Sequence, residues 1–508
     1  MKRVLILIVC YQAEPFIEGV LQRIPDAVWA KEAFETEILI IDDQSADRTF
    51  YTAHAYSKQR SHRQITVLRN PVNQGYGGNQ KIGYHYAIEH GFDVVLLLHG
   101  DGQYPPEYIV PLVEPILNDD ADVVLGSRMI NKLDALKGRM PLYKWLGNQF
   151  ITGLQNLMLH SRLSEFHTGF RAYSVRALAG VPFDLNSDYF DFDTDIIIQM
   201  LDTEQRILEI PVPTFYGDET CRVNGFRYAA LILHTTLLSR IIRLGIFYHP
   251  KFDYQTGNTR YIGKFGYPSS HQFALDRVSP GQTVLDIGCG PGLMAQALAA
   301  HNVDTVSIDV KIQPLARAFS REVIEADLDT YDFSTQQAPV QVILLLDVIE
   351  HVKSPESLIR RLRAAYAGRA PRVIITTGNV AFLPLRIALL CGMFNYGRRG
   401  ILDLDHTRLF TFASLRRLLE THGYEIVEVK GIPAPFPLSL GDTRLARALL
   451  FLNRVFIRLS KTLFAYQIAI VARPRPTLSQ LLSEAQRERE TLLNSELGTC
   501  GTDGNSVA

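Results

Sequence analysis

The chain has 508 residues, of which 47% are hydrophobic and 21% are charged, and its formal net charge is −1 at pH 7. This length predicts about two to four domains, since one domain usually spans ~150 residues. The composition excludes a mainly disordered chain, and the balanced charge excludes a global basic field that would recruit nucleic acid. No apolar run reaches the ~18 residues that a membrane-spanning helix needs.

The N-terminus imitates a signal peptide, because an apolar run follows two basic residues in MKRVLILIVCYQAEPF. A small-residue cleavage site is missing, and Glu14 and Pro15 follow at once, so we interpret the run as a buried first strand. The five cysteines, at positions 10, 221, 289, 391 and 500, form no CxxC pair. Such scattered cysteines are typical of a reducing compartment, and we therefore expect a cytoplasmic protein.

Short apolar runs alternate with helix-length segments in the first half of the chain. The predicted strands are Val4–Val9, Thr36–Ile41, Ile65–Leu68, Val94–His99 and Val123–Gly126. Helical patterns such as Glu14–Ile24 and Asp47–His62 separate them. This alternation, with strands that are apolar throughout, predicts a parallel sheet covered on both faces. The alternation loosens after Asn131 and ends in a helical stretch, Gly225–Gly245.

A second alternation begins after a turn-rich stretch. Its predicted strands are Thr283–Ile287, Thr305–Ile308, Val340–Leu346, Arg372–Thr376, Tyr424–Gly431 and Tyr466–Ala472, and the last two should pair as a hairpin. Beyond Pro474 the chain becomes polar, which predicts a frayed tail. We therefore predict two α/β domains, at 1–245 and 271–473, joined by a linker at 246–270 and followed by a disordered tail at 474–508.

The first candidate site follows the fourth predicted strand, in the run VVLLLHGDGQYPPE. Side chains at alternate positions of an extended chain share a face, so His99, Asp101 and Gln103 could together hold Mn²⁺ or Mg²⁺. Asp43 ends another strand in IIDDQSADRT, where a helix N-cap is an equally good interpretation. The Gly-rich turn in NPVNQGYGGNQKIGYHYA could bring backbone amides and Lys81 to a phosphate.

Seven motifs in this half resemble, in order, those of family 2 glycosyltransferases with the GT-A fold, nearest the dolichol-phosphate mannose synthase-like branch. They are VLILIVCYQAEPFIEGVL, IIDDQSADRT, NQGYGG, HGDGQYPPE, VVLGSR, HTGFRAYS and EIPVPTFYGDET. The resemblance implies an inverting transfer from a nucleotide-sugar donor. It implies that Asp43 contacts the base, with Tyr11 and Glu14 in the same pocket. It also implies that Asp101, assisted by Gln103, holds the catalytic metal that neutralises the leaving diphosphate.

One residue departs from the family pattern, because His99 stands where an Asp-x-Asp motif would have its first carboxylate. Imidazole is a legitimate ligand and suits Mn²⁺ better than Mg²⁺. The alternative is a catalytically degenerate domain that binds a nucleotide sugar and acts as a scaffold.

The acceptor side offers Asp193 as a general base for a hydroxyl acceptor, with helix capping as the alternative, whereas a phosphate acceptor would need no base. Arg128, Arg171 and Arg222 could hold phosphates or could equally form structural ion pairs.

The second candidate site lies in VLDIGCGPG, where Asp286 precedes a turn with glycines at 288, 290 and 292. A dinucleotide-binding enzyme would have the G-x-G-x-x-G spacing, and this turn does not. Asp309 ends the next strand, where a carboxylate can bind two ribose hydroxyls.

Together with EADL and LLLDVIEHV, these residues resemble the class I S-adenosylmethionine-dependent methyltransferases, which have a Rossmann-like fold. The resemblance implies that the backbone of Gly288, Gly290 and Gly292 approaches the cofactor, with Asp286 and Asp309 beside it. It implies that Asp327 binds the adenine. It places Asp347 and His351 where the methyl acceptor enters, and His351 could be catalytic or could cap the next helix.

Two later segments could shape the acceptor site. His406 and Arg408 lie in a long insertion and could bind substrate or form ion pairs. Farther on, five basic residues fall within about 100° of arc at helical period. They are Arg444, Arg447, Arg454, Arg458 and Lys461. Such a helix could make peripheral contact with an anionic membrane, or it could pack its apolar face on its own sheet.

These observations predict a bifunctional enzyme that transfers a sugar and methylates an acceptor in glycan, cell-surface polysaccharide or lipid-linked sugar biosynthesis. The expected partners are a nucleotide-sugar donor and a glycan or lipid-linked acceptor, and not nucleic acid. The expected location is the cytoplasm, or the inner face of the membrane. The alternative is an active methyltransferase fused to the degenerate scaffold domain.

Overall fold

The computed structural model describes residues 1–29, 34–138, 140–213, 225–253, 263–336 and 338–499. The chain divides into two compact units, and each is built on its own seven-stranded sheet. The first unit comprises Met1–Arg243 with two short later pieces, and the second comprises most of the chain after it. The predicted pair of α/β domains is thereby confirmed.

The strands of the first unit form one mixed sheet in the order β3-β2-β1-β4-β6-β5-β7. They are β1 (Lys2–Cys10), β2 (Phe34–Asp42), β3 (Ile65–Arg69), β4 (Val94–His99), β5 (Val123–Ser127), β6 (Arg171–Ser174) and β7 (Ile207–Pro211). The expectation of a purely parallel sheet is wrong, because β6 runs antiparallel to both β4 and β5. The short RAYS segment of β6 contains an arginine and a serine, and so lacks the apolar run typical of a buried strand.

Helices cover both faces of this sheet. They are α1 (Glu14–Gln22), α2 (Thr49–Gln59), α3 (Gly75–Glu89), α4 (Ile109–Leu117), α5 (Lys132–Lys137), α6 (Leu142–Leu159), α7 (Val175–Ala179), α8 (Phe192–Asp202) and α9 (Gly225–Arg243). Alternate residues of β1 enter different core clusters, with Ile6 and Ile8 in one and Leu5 and Leu7 in the other. This alternation explains why the strand is apolar at every position.

The strands of the second unit form a mixed sheet in the order β10-β9-β8-β11-β12-β14-β13. They are β8 (Thr283–Ile287), β9 (Asp304–Asp309), β10 (Glu322–Glu325), β11 (Val342–Leu346), β12 (Arg372–Gly378), β13 (Tyr424–Ile432) and β14 (Gln467–Pro474). The predicted pairing of the last two strands is confirmed, since β13 and β14 are antiparallel neighbours.

The helices of the second unit include one that the sequence did not predict. They are α10 (Ser270–Leu275), α11 (Leu293–Ala299), α12 (Pro314–Phe319), α13 (Pro355–Tyr366), α14 (Leu383–Leu390), α15 (Phe412–Thr421), α16 (Phe436–Leu440), α17 (Arg444–Leu459), α18 (Lys461–Phe464) and α19 (Leu478–Thr499). The last of them occupies most of the expected disordered tail. Its Leu, Glu, Gln and Arg residues are good helix formers, which accounts for the difference.

Among the described residues, no helix is both long enough and apolar enough to cross a membrane.

Candidate active sites

The first candidate site lies where β1, β2 and β4 end side by side. Register pairs Cys10 with Asp42 and Val9 with His99, so the residues that follow these three strands emerge at one edge of the sheet. Ligands of open α/β sheets bind at the carboxyl ends of the strands. The sheet therefore brings the predicted Tyr11, Asp43 and Asp101 segments to one edge.

Asp43 is 3% exposed, and its carboxylate orders the Gly-rich turn. It accepts hydrogen bonds from Asn70 Nδ2 at 2.7 Å, from the backbone N–H of Gln74 at 2.8 Å and from that of Gly75 at 3.0 Å. These contacts fix the start of α3, which begins at Gly75. Asp43 thus holds the Gly-rich turn in place at this edge of the sheet.

Two other predicted pocket residues lie nearer the surface. Tyr11 is 46% exposed, so its ring is accessible to a ligand. Glu14 begins α1, and its Oε2 accepts a hydrogen bond from the backbone N–H of Arg48 at 2.8 Å. This contact ties the first turn of α1 to the loop before α2.

A buried chain of polar side chains runs inward from His99. Tyr76 Oη lies 3.1 Å from His99 Nε2 and donates to Asp193 Oδ2 at 3.1 Å, and Arg171 forms an ion pair with the same oxygen at 3.1 Å. Since the single Tyr76 proton goes to Asp193, a hydrogen bond at His99 requires that Nε2 carry the proton. Burial lowers the pKa of His99 and raises that of Asp193, the latter against the opposing effect of Arg171.

The predicted phosphate-binding cations are engaged in ion pairs. Arg171 is fully buried and also donates to the backbone carbonyl of Phe166. Arg128 is 8% exposed and pairs with the buried Glu165, and the pKa of this carboxyl is lowered although burial opposes the shift. Lys81 pairs with Asp188 at 2.7 Å. The ion pairs expected as the alternative are thus present for Arg128 and Arg171, and Lys81 is paired as well, while Arg222 lies outside the described residues.

Asp101 and Gln103 are the remaining candidates for metal ligands. Asp101 is half-buried, and within the described part of the chain its Oδ1 accepts a hydrogen bond from its own loop alone, from the backbone N–H of Gln103 at 3.0 Å. His99 Nε2 is engaged with Tyr76, so that nitrogen does not suit a metal. Over the described ranges, no group of three His, Cys, Asp or Glu side chains is arranged to hold a metal ion. The residues present therefore fit a metal held by Asp101 together with ligand oxygens, and not a site made by the protein alone.

The second candidate site is built on the turn between β8 and α11. Gly288, Gly290 and Gly292 all have positive φ angles, of 71°, 51° and 92°. A Cβ at Gly292 would lie 2.4 Å from the backbone nitrogen of Ala316, whereas one at Gly290 would meet no atom within 4 Å. The backbone at Gly290 therefore borders open space that a ligand could fill.

Carboxylates of neighbouring strands surround this turn. Asp309 Oδ2 accepts a hydrogen bond from the backbone N–H of Gly290 at 2.8 Å. Asp286 is 2% exposed, and within the described part of the chain its Oδ2 has no hydrogen-bond partner. Burial and the nearby Asp309 raise the pKa of Asp286 to about 7. An unpaired buried carboxyl beside an open space fits a cationic ligand group, such as the ammonium of S-adenosylmethionine.

The remaining predicted residues of this site differ in availability. Asp327 is exposed, and among the described residues its Oδ1 accepts a hydrogen bond from the backbone N–H of Asp329 alone, so it can reach a ligand. Asp347 is held by Thr376 Oγ1 at 2.9 Å, by Gln467 Nε2 at 2.9 Å and by Lys264 Nζ at 3.5 Å. The Asp347 carboxylate thus links three separate segments of the domain. It is therefore less accessible to a cofactor than the sequence suggested.

The sequence motifs did not single out Glu350 within DVIEHV. This residue is 2% exposed, and its Oε2 has no partner among the described residues. Burial and the neighbouring Asp347 raise the pKa of Glu350 to about 8. The sequence signal that could have identified Glu350 is a second acidic residue in DVIEHV, a run in which only Asp347 and His351 were assigned roles.

Two imidazoles stand together beside this acid, with the ring centroids of His351 and His406 4.7 Å apart. His351 Nδ1 lies 3.2 Å from the carbonyl oxygen of Asp405, and His406 Nδ1 lies 3.0 Å from that of Ile401. A carbonyl only accepts, so each Nδ1 is the donor and each neutral ring keeps its basic lone pair on Nε2. His351 is exposed and could take a proton there, whereas Arg408 pairs with Glu356.

Comparison with protein families matches each half of the chain to a transferase model. Residues 5–181 match the model of glycosyl transferase family 2, and residues 264–429 match a methyltransferase domain model. The chain is therefore an enzyme with a family 2 glycosyltransferase domain in its N-terminal half and a methyltransferase domain in its C-terminal half. This confirms both resemblances drawn from the sequence, and the folds are those expected of the two families.

Each half also has named relatives. The undecaprenyl-phosphate mannosyltransferase of Micrococcus luteus is 28% identical over 213 residues, which is 41% of this chain and 82% of the relative. The UDP-N-acetylglucosamine–dolichyl-phosphate N-acetylglucosaminyltransferase of Methanococcus voltae is 26% identical over 227 residues, 43% of this chain and 87% of the relative. A ubiquinone biosynthesis O-methyltransferase of Aeromonas salmonicida is 29% identical over 164 residues, 30% of this chain and 66% of the relative.

Proposed function

We propose that the chain is a bifunctional cytoplasmic enzyme of lipid-linked sugar biosynthesis. Its N-terminal domain transfers a sugar, with inversion and metal assistance, from a nucleotide-sugar donor to a lipid-linked phosphate. Its C-terminal domain methylates an acceptor on the same pathway with S-adenosylmethionine. The proposed boundaries remain 1–245 for the first domain and 271–473 for the second.

The burial of Asp193 is the observation that carries the choice of glycosyl acceptor. A general base must reach the hydroxyl that it deprotonates, yet Asp193 is 5% exposed and is held by Arg171 and Tyr76. A phosphate acceptor is already ionised and needs no base. The names of the two glycosyltransferase relatives, which act on undecaprenyl phosphate and dolichyl phosphate, support the same acceptor class. We therefore propose that Asp193 is a positioning residue.

In the first domain, we assign donor binding to groups that the fold leaves accessible. Tyr11 would pack against the nucleotide, while Asp43 holds the Gly-rich turn in place behind it. Asp101, with Gln103 beside it, would hold the divalent cation, Mn²⁺ or Mg²⁺. A bound cation would neutralise charge on the leaving diphosphate. Of the predicted phosphate-binding cations that the structure describes, Lys81, Arg128 and Arg171 are each already paired with a carboxylate.

In the second domain, the backbone at Gly290 and the side chains of Asp286, Asp309 and Asp327 would hold S-adenosylmethionine. The cofactor supplies an electrophilic methyl group when bound. Asp286 would become ionised as the cationic amino group approaches, because that group would give the buried carboxylate a partner of opposite charge. His351 would accept the acceptor's proton at Nε2, since its Nδ1 is committed to a backbone carbonyl.

A second candidate function is the degenerate scaffold, and His99 is the observation that favours it. His99 replaces a family carboxylate and faces Tyr76, which leaves one acidic side chain for a metal. In that case the first domain would bind a nucleotide sugar without transferring it. The two candidates differ in whether labelled sugar reaches a lipid phosphate.

Thermal unfolding with a small set of ligands tests the proposal. The ligands are UDP, GDP and dTDP, each with and without Mn²⁺, and S-adenosylmethionine alone. A ligand at ~100 times its Kd stabilises its domain by about 2.7 kcal/mol. We expect a Mn²⁺-dependent shift with one nucleotide and a separate shift with S-adenosylmethionine. A shift with S-adenosylmethionine alone would contradict the glycosyltransferase half and support a relic domain.

A further inference from the structure

Helix α17 is an insertion between the two strands of the β13–β14 hairpin. It contacts its own unit through a narrow face, on which only Ala446 and Leu450 are buried. Asn453 fastens this face, because its Oδ1 accepts from the backbone N–H of Ala434 at 3.0 Å and its Nδ2 donates to the carbonyl of Phe464 at 2.9 Å. The helix is thus fixed to the domain along one side.

The opposite side of α17 presents large apolar side chains to the outside. At 100° per residue, Leu445, Leu452 and Leu459 lie within about 40° of one another, and all are directed away from Ala446 and Leu450. Leu459 is 75% exposed, and the neighbouring Phe451 is 69% exposed. We call the exposed residues Leu445, Phe451, Leu452, Val455 and Leu459 the apolar ridge. The alternative drawn from the sequence, a helix that packs on its own sheet with a solvated basic face, holds for the side that carries Ala446, Leu450 and Ile457. The apolar ridge is exposed and takes no part in that packing.

A basic flank overlaps one edge of the apolar ridge, where Phe451 lies between Arg458 and Arg444 around the helix. Its members are Arg444, Arg447, Arg454, Arg458 and Lys461. Arg447 pairs with Asp442, whereas no carboxylate in the described ranges lies within ion-pair distance of Arg454 or Arg458. The sequence has no acidic residue between Asp442 and Glu484, so the flank keeps its positive charge.

We propose that α17 docks the methyltransferase domain on an anionic lipid surface, with the apolar ridge in the acyl-headgroup boundary and the basic flank on the lipid phosphates. An apolar strip beside unneutralised arginines is complementary to such a surface. A protein partner would have to supply acidic groups beside an apolar groove. At 16 residues, α17 is about 24 Å long, which is shorter than the ~30 Å hydrocarbon core, so it lies along the surface.

This inference rests on the proposed function for its purpose, because a lipid-linked acceptor is held at a membrane. The binding itself requires neither activity. Docking through the second domain would keep the methyl-transfer site at the surface where the lipid-linked product accumulates.

Vesicle flotation of the full chain tests the proposal. The probes are vesicles of phosphatidylglycerol with phosphatidylcholine, and vesicles of phosphatidylcholine alone. We expect the wild-type chain to float with the anionic vesicles and to be released by salt. Since each arginine near such a surface strengthens binding about fivefold, Arg454→Glu/Arg458→Glu should weaken it by more than about twentyfold. Phe451→Glu/Leu459→Glu should abolish it.

A matched control carries two charge reversals on other exposed helix positions of the same domain, Arg360→Glu/Arg417→Glu. This control should float almost as well as the wild type. All variants should keep the S-adenosylmethionine-induced thermal shift of the wild type, which verifies folding. Equal binding to both vesicle types, or equal loss in control and α17 variants, would overturn the proposal.

Three further outcomes distinguish lipid docking from self-association and from the proposed enzymatic function. If the α17 variants change only the oligomeric state measured by light scattering, a second copy of the chain covers the ridge and the lipid proposal is wrong. If the wild type floats but transfers neither sugar nor methyl, the proposed function fails and the docking surface stands. If it transfers both groups but does not float, the docking surface fails alone.

Discussion

The two candidate sites differ in whether a cation lies beside their buried carboxyl groups. In the glycosyltransferase domain, the buried Glu165 and Asp193 each have an arginine beside them. In the methyltransferase domain, Asp286 and Glu350 are equally buried, and over the described ranges no cation lies within ion-pair distance of either. The pKa of Glu165 is lowered, and that of Asp193 is raised by burial although Arg171 opposes the shift. Without such a cation, the pKa of Asp286 is raised to about 7 and that of Glu350 to about 8.

This difference indicates how each site could bind its ligand. The first site is held in shape by its own ion pairs, so affinity for an anionic donor must come from accessible groups such as Asp101 with its metal. The second site keeps carboxyl groups whose pKa burial raises, and a cationic ligand would favour their ionised form. Four substitutions test the comparison.

Breaking the Arg171–Asp193 pair should have the largest effect. Arg171→Met leaves Asp193 buried without its cation, and we expect a loss of about 3–5 kcal/mol in the free energy of unfolding. Chemical denaturation, followed through the unfolding transition of the glycosyltransferase domain, measures this loss. Arg176→Met removes an exposed arginine from Asp122, a buried carboxylate that keeps its ion pair with Arg206, and should cost less than about 1 kcal/mol. Equal effects of the two substitutions would show that the buried pair is not needed.

The substitution His99→Asp should cause the next largest loss of stability. The new carboxylate would stand beside Tyr76, whose only proton already goes to Asp193, so we expect a loss of about 2–3 kcal/mol. His99→Gln offers an amide donor to Tyr76 and should cost less. Denaturation and Mn²⁺ titration of both variants measure the effect. A His99→Asp variant that is stable and binds Mn²⁺ more tightly would restore the metal-ligand role for this position.

Asp286→Asn should change the pH dependence of stability. The native pKa lies above the ordinary value of 3.8, so the folded state holds a proton that unfolding releases, and wild-type stability falls as pH rises from about 4 to about 7. The variant lacks this loss and should exceed the wild type by about 4 kcal/mol at pH 8, with little difference near pH 4. It should nevertheless bind S-adenosylmethionine more weakly in calorimetry. A variant that is less stable at pH 8 would disprove unpaired burial.

Glu350→Gln should have its smallest effect near pH 4, where Glu350 is mostly protonated in both the folded and the unfolded chain. Burial raises the pKa of Glu350 from its ordinary value of 4.5 to about 8, so at higher pH unfolding releases a proton from the wild type, and glutamine has nearly the same size and polarity as the protonated side chain. We expect the variant to gain stability relative to the wild type as the pH rises, by about 3 kcal/mol at pH 7, measured by thermal unfolding. A large loss at pH 7 would mean that the carboxylate is ionised and has a partner.

The sequence predicted the sheets well because their strands are apolar on both faces and end in glycines or carboxylates. It missed β6, where Arg171 sits inside a strand, because that arginine is satisfied by Asp193, 22 residues farther along the chain. The same long-range pairing made Arg128 and Lys81 look available for phosphates. Motifs identified Asp43, Asp101 and Asp286, but only the fold distinguishes an accessible carboxylate from an enclosed one.

The most direct test of two independent sites is calorimetry on two single variants. Asp101→Asn should abolish Mn²⁺-dependent nucleotide diphosphate binding and leave S-adenosylmethionine binding unchanged. Gly290→Val, whose side chain would enter the open space beside the turn, should do the reverse. Loss of S-adenosylmethionine binding in Asp101→Asn, or of nucleotide binding in Gly290→Val, would contradict two separate transferase sites.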